Sequence, residues 1–316
     1  MRRQRKPLNS AFFFRAARLV LLAVLALGRP AFAEPAELLR EDGTSIVYHL
    51  DRPRASRYPL AVILQGSECL RVTDKYAPLV AQLNAAGIAV LRVEKPGLKA
   101  DTPIGECPEE YLRLNTIERR VLDLLAVIGR LRRQEPGWDG RLGLSGGSEG
   151  SMVAAIGAPL LPETETLLLL SSGGGSCFGD EVKASIAASI KASGASDAQV
   201  DERLAAVDKE WEAIMSSPLP TLEWGSDGKL ARNTYLWWSQ ALPKALFHPL
   251  LELEVPIRVY QGKSDTSVLE ANSRLLEQRF REAGKGNLEV VLYEGEHVAP
   301  PEVLEDAFGW LADQLE

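Results

Sequence analysis

The sequence predicts an α/β fold: a mostly parallel central sheet with helices on both faces and a helical cap inserted late in the chain. Three observations predict it. Short, uniformly apolar runs alternate with longer amphipathic stretches, the pattern of strands buried on both faces and separated by helices. One of the apolar runs passes through a glycine-rich turn directly into an alanine-rich stretch. The alternation then lapses over 173–254, about 80 residues, and resumes afterwards; an ordinary connection takes roughly 2–6 residues, so a separate unit is expected there.

Residues 1–33 read as an export signal and not as part of the fold. Arg2, Arg3, Arg5 and Lys6 form a basic start, Leu19 to Gly28 is a ten-residue apolar run, and Ala31-Phe32-Ala33 is a small-x-small cleavage site. The run is too short for a permanent span, which needs about 20 residues. The expected organisation is therefore a signal peptide (1–33), a core (34–172), a cap (173–254) and the rest of the core (255–316). The signal holds seven of the 36 basic residues and no acid, which leaves 29 basic against 43 acidic residues, a net charge of −14. Such a chain is a poor match for nucleic acid or an anionic membrane surface, so neither partner is expected once the signal is removed.

The elements follow in order. Leu38 to Arg40 and Ile46 to Leu50 flank Asp42-Gly43, a hairpin signal. Tyr58 to Leu64 is an apolar strand that breaks at Gly66, Tyr76 to Ala86 a helix ending at Gly87, and Ile88 to Val93 a second buried strand. Leu114, Ile117, Val121, Leu124, Ile128 and Leu131 recur at helical spacing, with arginines and acids expected on the opposite face. Arg141 to Ser145 is a strand, Glu149 to Ala158 a helix and Thr166 to Leu170 a strand. Within the insertion Asp180 to Ala192 and Ala198 to Met215 read as helices. Strand, helix, strand and helix then return at 256–260, 268–283, 288–293 and 303–315.

The chemistry concentrates at the carboxyl ends of the strands. Gly146-Gly147-Ser148-Glu149-Gly150 fits Gly-x-Ser-x-Gly between a strand and a helix, the setting of a nucleophile on a tight turn with its hydroxyl exposed. Gly143-Leu144-Ser145-Gly146-Gly147 fits the same pattern. With the turn at Ser145, Gly146 and Gly147 would open the helix, each costing ~1 kcal/mol relative to alanine, so Ser148 is the expected nucleophile. Of the three histidines, His49 falls in the early hairpin and His248 in the insertion. His297 follows the strand 288–293 at the edge that carries Ser148, and is the expected base. Asp265 follows the strand 256–260 at that edge and is the expected partner of His297; helix capping is its structural alternative, and Glu270 the competing carboxylate.

These motifs together resemble the α/β-hydrolase superfamily over nearly all of the mature sequence. Gly-x-Ser-Glu-Gly, a Gly-x-x-Asp loop at 262–265 and Gly-x-His at 295–297 are similar to bacterial exported esterases and to the catalytic domains of related serine peptidases. The resemblance implies hydrolysis of a small-molecule ester, thioester or amide through an acyl-enzyme. Separately, the sequence has no C-x-x-C pair and no metal-ligand spacing, so neither metal nor cofactor is expected. Many members of the superfamily have His-Gly after the third strand, where this chain has Gln65-Gly66-Ser67. The donor there is a backbone N–H, so the oxyanion hole is expected from Ser67 or Gly66 together with Glu149.

Cys69 and Cys107 each follow a strand at the same edge, and a disulfide between them is expected; Cys177 is the alternative partner, and three thiols the third option. Glu68, Glu149, Glu296, Glu94 and Glu106 lie near the site in sequence and suggest an acidic mouth suited to a substrate amine, unless Arg71, Lys95, Lys99 and Lys263 cancel it. Trp237 and Trp238 are candidates for an acyl pocket, at most one of them facing it. The runner-up functions are an aminopeptidase or amidase of the same fold, and a binding protein that has lost catalysis. Oligomeric state leaves no mark in the sequence.

Overall fold

The computed structural model describes residues 34–67, 69–73, 75–99, 101–103, 106–225 and 233–316. The expected signal (1–33) and Glu68 lie outside them. Eight strands form one sheet in the order β1-β2-β4-β3-β5-β6-β9-β10: β1 (Ala36–Leu39), β2 (Ser45–Asp51), β3 (Tyr58–Leu64), β4 (Ala89–Val93), β5 (Trp138–Gly147), β6 (Thr164–Leu170), β9 (Ile257–Gly262) and β10 (Leu288–Tyr293). The β1–β2 and β2–β4 pairs are antiparallel and all other neighbours are parallel.

The apolar runs form strands because both faces of the sheet are covered. Along β3, Leu60, Val62 and Leu64 pack into one apolar layer while Ala61 and Ile63 pack into the other. Helix α1 (Ala77–Ala85) and helix α10 (Pro301–Asp313) cover the second face. The first face receives α3 (Ile117–Gln134) and α4 (Glu149–Gly157). Leu114 does not belong to α3. It closes a short helix α2 (Glu109–Leu114), and Thr116 caps α3 by accepting the Arg119 N–H at 3.2 Å. The polar side of α3 is also less regular than its periodicity suggests: Arg120 and Asp123 are buried, Asp123 against Arg40 at 2.6 Å.

Between β6 and β9 lie α5 (Phe178–Ala192), α6 (Asp197–Ser216), the two-stranded pair β7 (Glu223–Trp224) and β8 (Asn233–Thr234), α7 (Tyr235–Ala241) and α8 (Phe247–Leu251). Helix α9 (Glu270–Glu282) then links β9 to β10. It starts two residues later than the apolar pattern predicts. The Asp265 carboxylate holds the Ser267 and Val268 N–H groups at 2.8 and 2.9 Å, which keeps that stretch in a turn. No helix among the described residues is long and apolar enough to cross a membrane.

The chain runs from β3 outward to β4 and returns to β5 on the other side of β3. The connections after β3 and β5 therefore leave the sheet in opposite directions while the strands stay paired to Leu64 and Gly146, a topological switch point, where a crevice forms in sheets of this kind. Gln65-Gly66-Ser67 leaves β3 there, and Ser148 follows β5. Cys69 and Cys107 are bonded, with their Cα atoms 5.4 Å apart, and tie the loop after β3 to the segment before α2. Cys177 is a free, half-buried thiol. A bridge spanning 38 residues contributes on the order of 4 kcal/mol in the chain-entropy picture. Cys69→Ser/Cys107→Ser is expected to lose about that much unfolding free energy in a urea titration at unchanged far-UV circular dichroism.

Candidate active site

The turn at Ser148 is built by close backbone approach. Ser148 has φ 51° and ψ −121°, a left-handed conformation that a non-glycine residue adopts only when its surroundings impose it. The flanking glycines impose it. A Cβ on Gly146 would run into the Gly150 peptide, and one on Gly150 into the Leu64 carbonyl oxygen. β5, α4 and the end of β3 therefore meet at a distance that only glycine permits. Ser145 sits earlier on β5, buried, its hydroxyl donating to the Val62 carbonyl at 2.7 Å. That hydroxyl is already committed to the core.

His297 comes from the loop after β10. Its Nε2 lies 3.1 Å from Ser148 Oγ and its Nδ1 2.8 Å from Asp265 Oδ2. An ionised carboxylate only accepts, so Nδ1 carries the proton and Nε2 accepts from the Ser148 hydroxyl. Asp265 is buried. Burial raises its pKa, but the hydrogen bond and charge of His297 and the N–H groups of Val268 and Ser267 outweigh burial and hold it below the ordinary carboxylate value. Gln261 Nε2 donates to the same Oδ2 at 3.1 Å and to the Val268 carbonyl at 2.9 Å. Ser273 donates to Gln261 Oε1 at 3.1 Å. Ser171, also at positive φ (49°), donates to the His297 carbonyl at 2.6 Å. This supporting layer fixes the tautomer and pose of the imidazole.

The other candidates are placed as follows. Gly66 lies against the turn: a Cβ built on it would be 3.4 Å from Ser148 Cβ. Ser67 follows it, with its carbonyl near Tyr111 Oη at 3.4 Å. Glu149 begins α4 directly after Ser148. Glu270 begins α9 and pairs with Arg274, so the competing carboxylate is engaged elsewhere. His49 is buried on β2, 3.4 Å from Glu94, and His248 is exposed on α8. Trp237 and Trp238 are both buried and pack edge to face on each other, centroids 4.8 Å apart, within a cluster with Phe178 and Trp224.

The acidic mouth loses two of its members. Glu149 is buried and bound to Arg120 at 2.5 Å. Glu94 is buried, accepting the Val72 N–H at 3.0 Å beside His49. Both carboxylates face the interior and not the solvent. Lys95 is buried with them; burial pushes its pKa down to about 7, with Glu149 opposing the shift. Arg120, Gln261, Ser171 and Ser273 are the site's neighbours that motif reading misses. For Arg120 a signal exists, since it stands three residues after Ile117, inside the apolar stripe of α3.

No protein-family model matches the chain, and no curated protein matches it in sequence. Solved structures do match its shape. An esterase from Pyrococcus furiosus, Pf2001, is 19% identical with TM-score 0.60, covering 90% of this chain and 91% of its own. Est1E from Butyrivibrio proteoclasticus with ferulic acid bound is 16% identical with TM-score 0.60, covering 89% and 99%. Mouse alpha/beta hydrolase domain-containing protein 10 is 17% identical with TM-score 0.60, covering 89% and 98%.

Proposed function

From a chain that has the α/β-hydrolase fold, we propose an exported serine hydrolase that cleaves a carboxylic ester or thioester. The reading rests above all on the continuous line Ser148 Oγ, His297 Nε2, His297 Nδ1, Asp265 Oδ2, with spacings of 3.1 and 2.8 Å on a strained turn. His297 takes the Ser148 proton as Oγ attacks the acyl carbon, and Asp265 stabilises the imidazolium that forms. The oxyanion is held by backbone N–H groups of Gly66 or Ser67 and of Glu149. The tetrahedral intermediate collapses as His297 returns the proton to the leaving alcohol or thiol. Water, deprotonated by the same imidazole, then frees the acid and regenerates Ser148.

Esterase chemistry is favoured over aminopeptidase chemistry because the burial of Glu149 and Glu94 takes two of the five acids out of an amine-binding mouth, leaving Glu106 and Glu296 exposed among the described residues. The esterase named in the Pyrococcus furiosus structure and the ferulic acid bound to Est1E are in keeping with a small-molecule ester substrate. The segment 173–254 is proposed to act as the cap over the crevice. Export is supported by the signal read in 1–33 and by the Cys69–Cys107 disulfide. The test is hydrolysis of a chain-length series of p-nitrophenyl esters beside aminoacyl arylamides. Ester turnover at least a hundredfold above arylamide turnover is expected; the reverse order would install the peptidase reading, and neither activity in folded protein would favour a binding protein.

A further inference from the structure

We infer that Arg120 is the positioning residue of the oxyanion hole, an assignment that rests on the hydrolase reading above. Arg120 projects from the apolar stripe of α3, and its side chain is 3% exposed. A guanidinium in such surroundings is costly unless its N–H groups are engaged. They are engaged by two different walls of the crevice. Nη1 donates to Glu149 Oε1 at 2.5 Å and Nη2 to the Gln65 carbonyl at 2.7 Å. Glu149 is the residue after the nucleophile, and Gln65 directly precedes Gly66-Ser67.

Each bond acts on an oxyanion donor. The Gln65 carbonyl and the Gly66 N–H belong to one planar trans peptide and point in opposite directions. Fixing the carbonyl on Arg120 therefore fixes the plane from which the Gly66-Ser67 backbone departs beside Ser148. On the other wall, holding the Glu149 side chain holds the first residue of α4, whose N–H is the second donor. Among the described residues Glu149 Oε2 finds no hydrogen-bond partner, so the carboxylate's hydrogen-bonded anchor is Arg120. A planar, forked cation sets the spacing of the two walls in a way that a lysine, a single point charge on a flexible stem, does not reproduce. Arg120 touches no reacting atom. Its effect falls on the geometry that the oxyanion, and not the ground-state carbonyl, requires.

The test uses the full chain as wild type, Arg120→Lys and Glu149→Gln. It reads p-nitrophenyl butyrate kinetics and inhibition by an alkyl trifluoromethyl ketone, which places an oxyanion in the hole, beside the matching methyl ketone, which does not. Arg120→Lys is expected to lose roughly 10²-fold in kcat and a similar factor in trifluoromethyl ketone affinity, with KM and methyl ketone affinity within threefold. Glu149→Gln, which keeps a neutral acceptor for Nη1, is expected to lose about tenfold in the same two quantities. A folded Arg120→Lys protein with kcat and trifluoromethyl ketone affinity within threefold of wild type overturns the assignment, as does a loss shared equally by both ketones. Should Arg120→Lys not fold, Glu149→Gln decides by the same readouts. Wild type that hydrolyses no ester and takes no fluorophosphonate label overturns the hydrolase reading, and this assignment with it.

Discussion

Ser148→Ala is expected to lower kcat/KM for a p-nitrophenyl ester by about 10⁴–10⁶-fold and to abolish labelling by a fluorophosphonate, with a melting temperature close to wild type. Ser148 is half-buried, its Oγ is hydrogen-bonded to His297, and the Cβ that bears the turn's strain remains. Ser145→Ala is the matched control with the opposite profile. Its hydroxyl is buried and donates to the Val62 carbonyl at 2.7 Å, so its loss costs about 1–3 kcal/mol of stability and leaves labelling intact. In-gel fluorescence of the two variants beside thermal melts separates the overlapping motifs. Labelling that survives in Ser148→Ala and disappears in Ser145→Ala would assign the nucleophile to the earlier serine.

The contrast between those serines also shows what sequence conveys here. Strand, turn and helix follow from Leu142-Gly-Leu144, the glycines and the alanines, because local propensity and burial agree there. The register that brings Asp265 and His297 onto one edge follows from the right-handed alternation of strand and helix, which sends every post-strand loop to the same side. For Asp265, the sequence leaves helix capping and support of an imidazole as alternatives. The carboxylate supports the imidazole through Oδ2, while Oδ1 holds a turn ahead of α9 and does not cap the helix, whose N-cap, Leu269, has no side-chain cap hydrogen bond.

What escaped depends on contacts between elements far apart in sequence. Glu149 and Glu94 read as surface acids because glutamate is seldom buried. Their partners, Arg120 and the Val72 N–H with His49, lie 22 to 45 positions away, and nothing in a linear pattern announces such a pairing. Arg120 was nearer to legible. An arginine three residues after Ile117 and four before Leu124 occupies a core position of its helix, and a charge there demands a buried acceptor. Gln261 and Ser273 carry no such signal, since polar residues in a loop-proximal strand and a helix are ordinary until the neighbouring carboxylate is known.

Asp265→Asn is expected to reduce kcat by about 10³–10⁴-fold near neutral pH, because four donors converge on one carboxylate. His297 Nδ1 and Gln261 Nε2 point at Oδ2, and the Ser267 and Val268 N–H groups at Oδ1. An asparagine offers one oxygen and one NH2 group, so one pair of donors must face another donor. With the NH2 toward His297, Nδ1 becomes the acceptor, the proton moves to Nε2, and the ring can no longer take the Ser148 proton. With the NH2 toward Ser267 and Val268, the turn before α9 loses its anchor at about 1–3 kcal/mol.

The same substitution has a pH signature in stability. The folded pKa of Asp265 lies below its ordinary value. Its ionised form therefore contributes stability that is fully present above the unfolded value of about 3.9 and is lost as pH falls through the lower folded value. Urea midpoints measured between pH 2 and 7 should fall less steeply on the acid side for Asp265→Asn than for wild type. An activity within tenfold of wild type, together with an unchanged acid limb, would show that another carboxylate supports His297 and would return Glu270 to consideration.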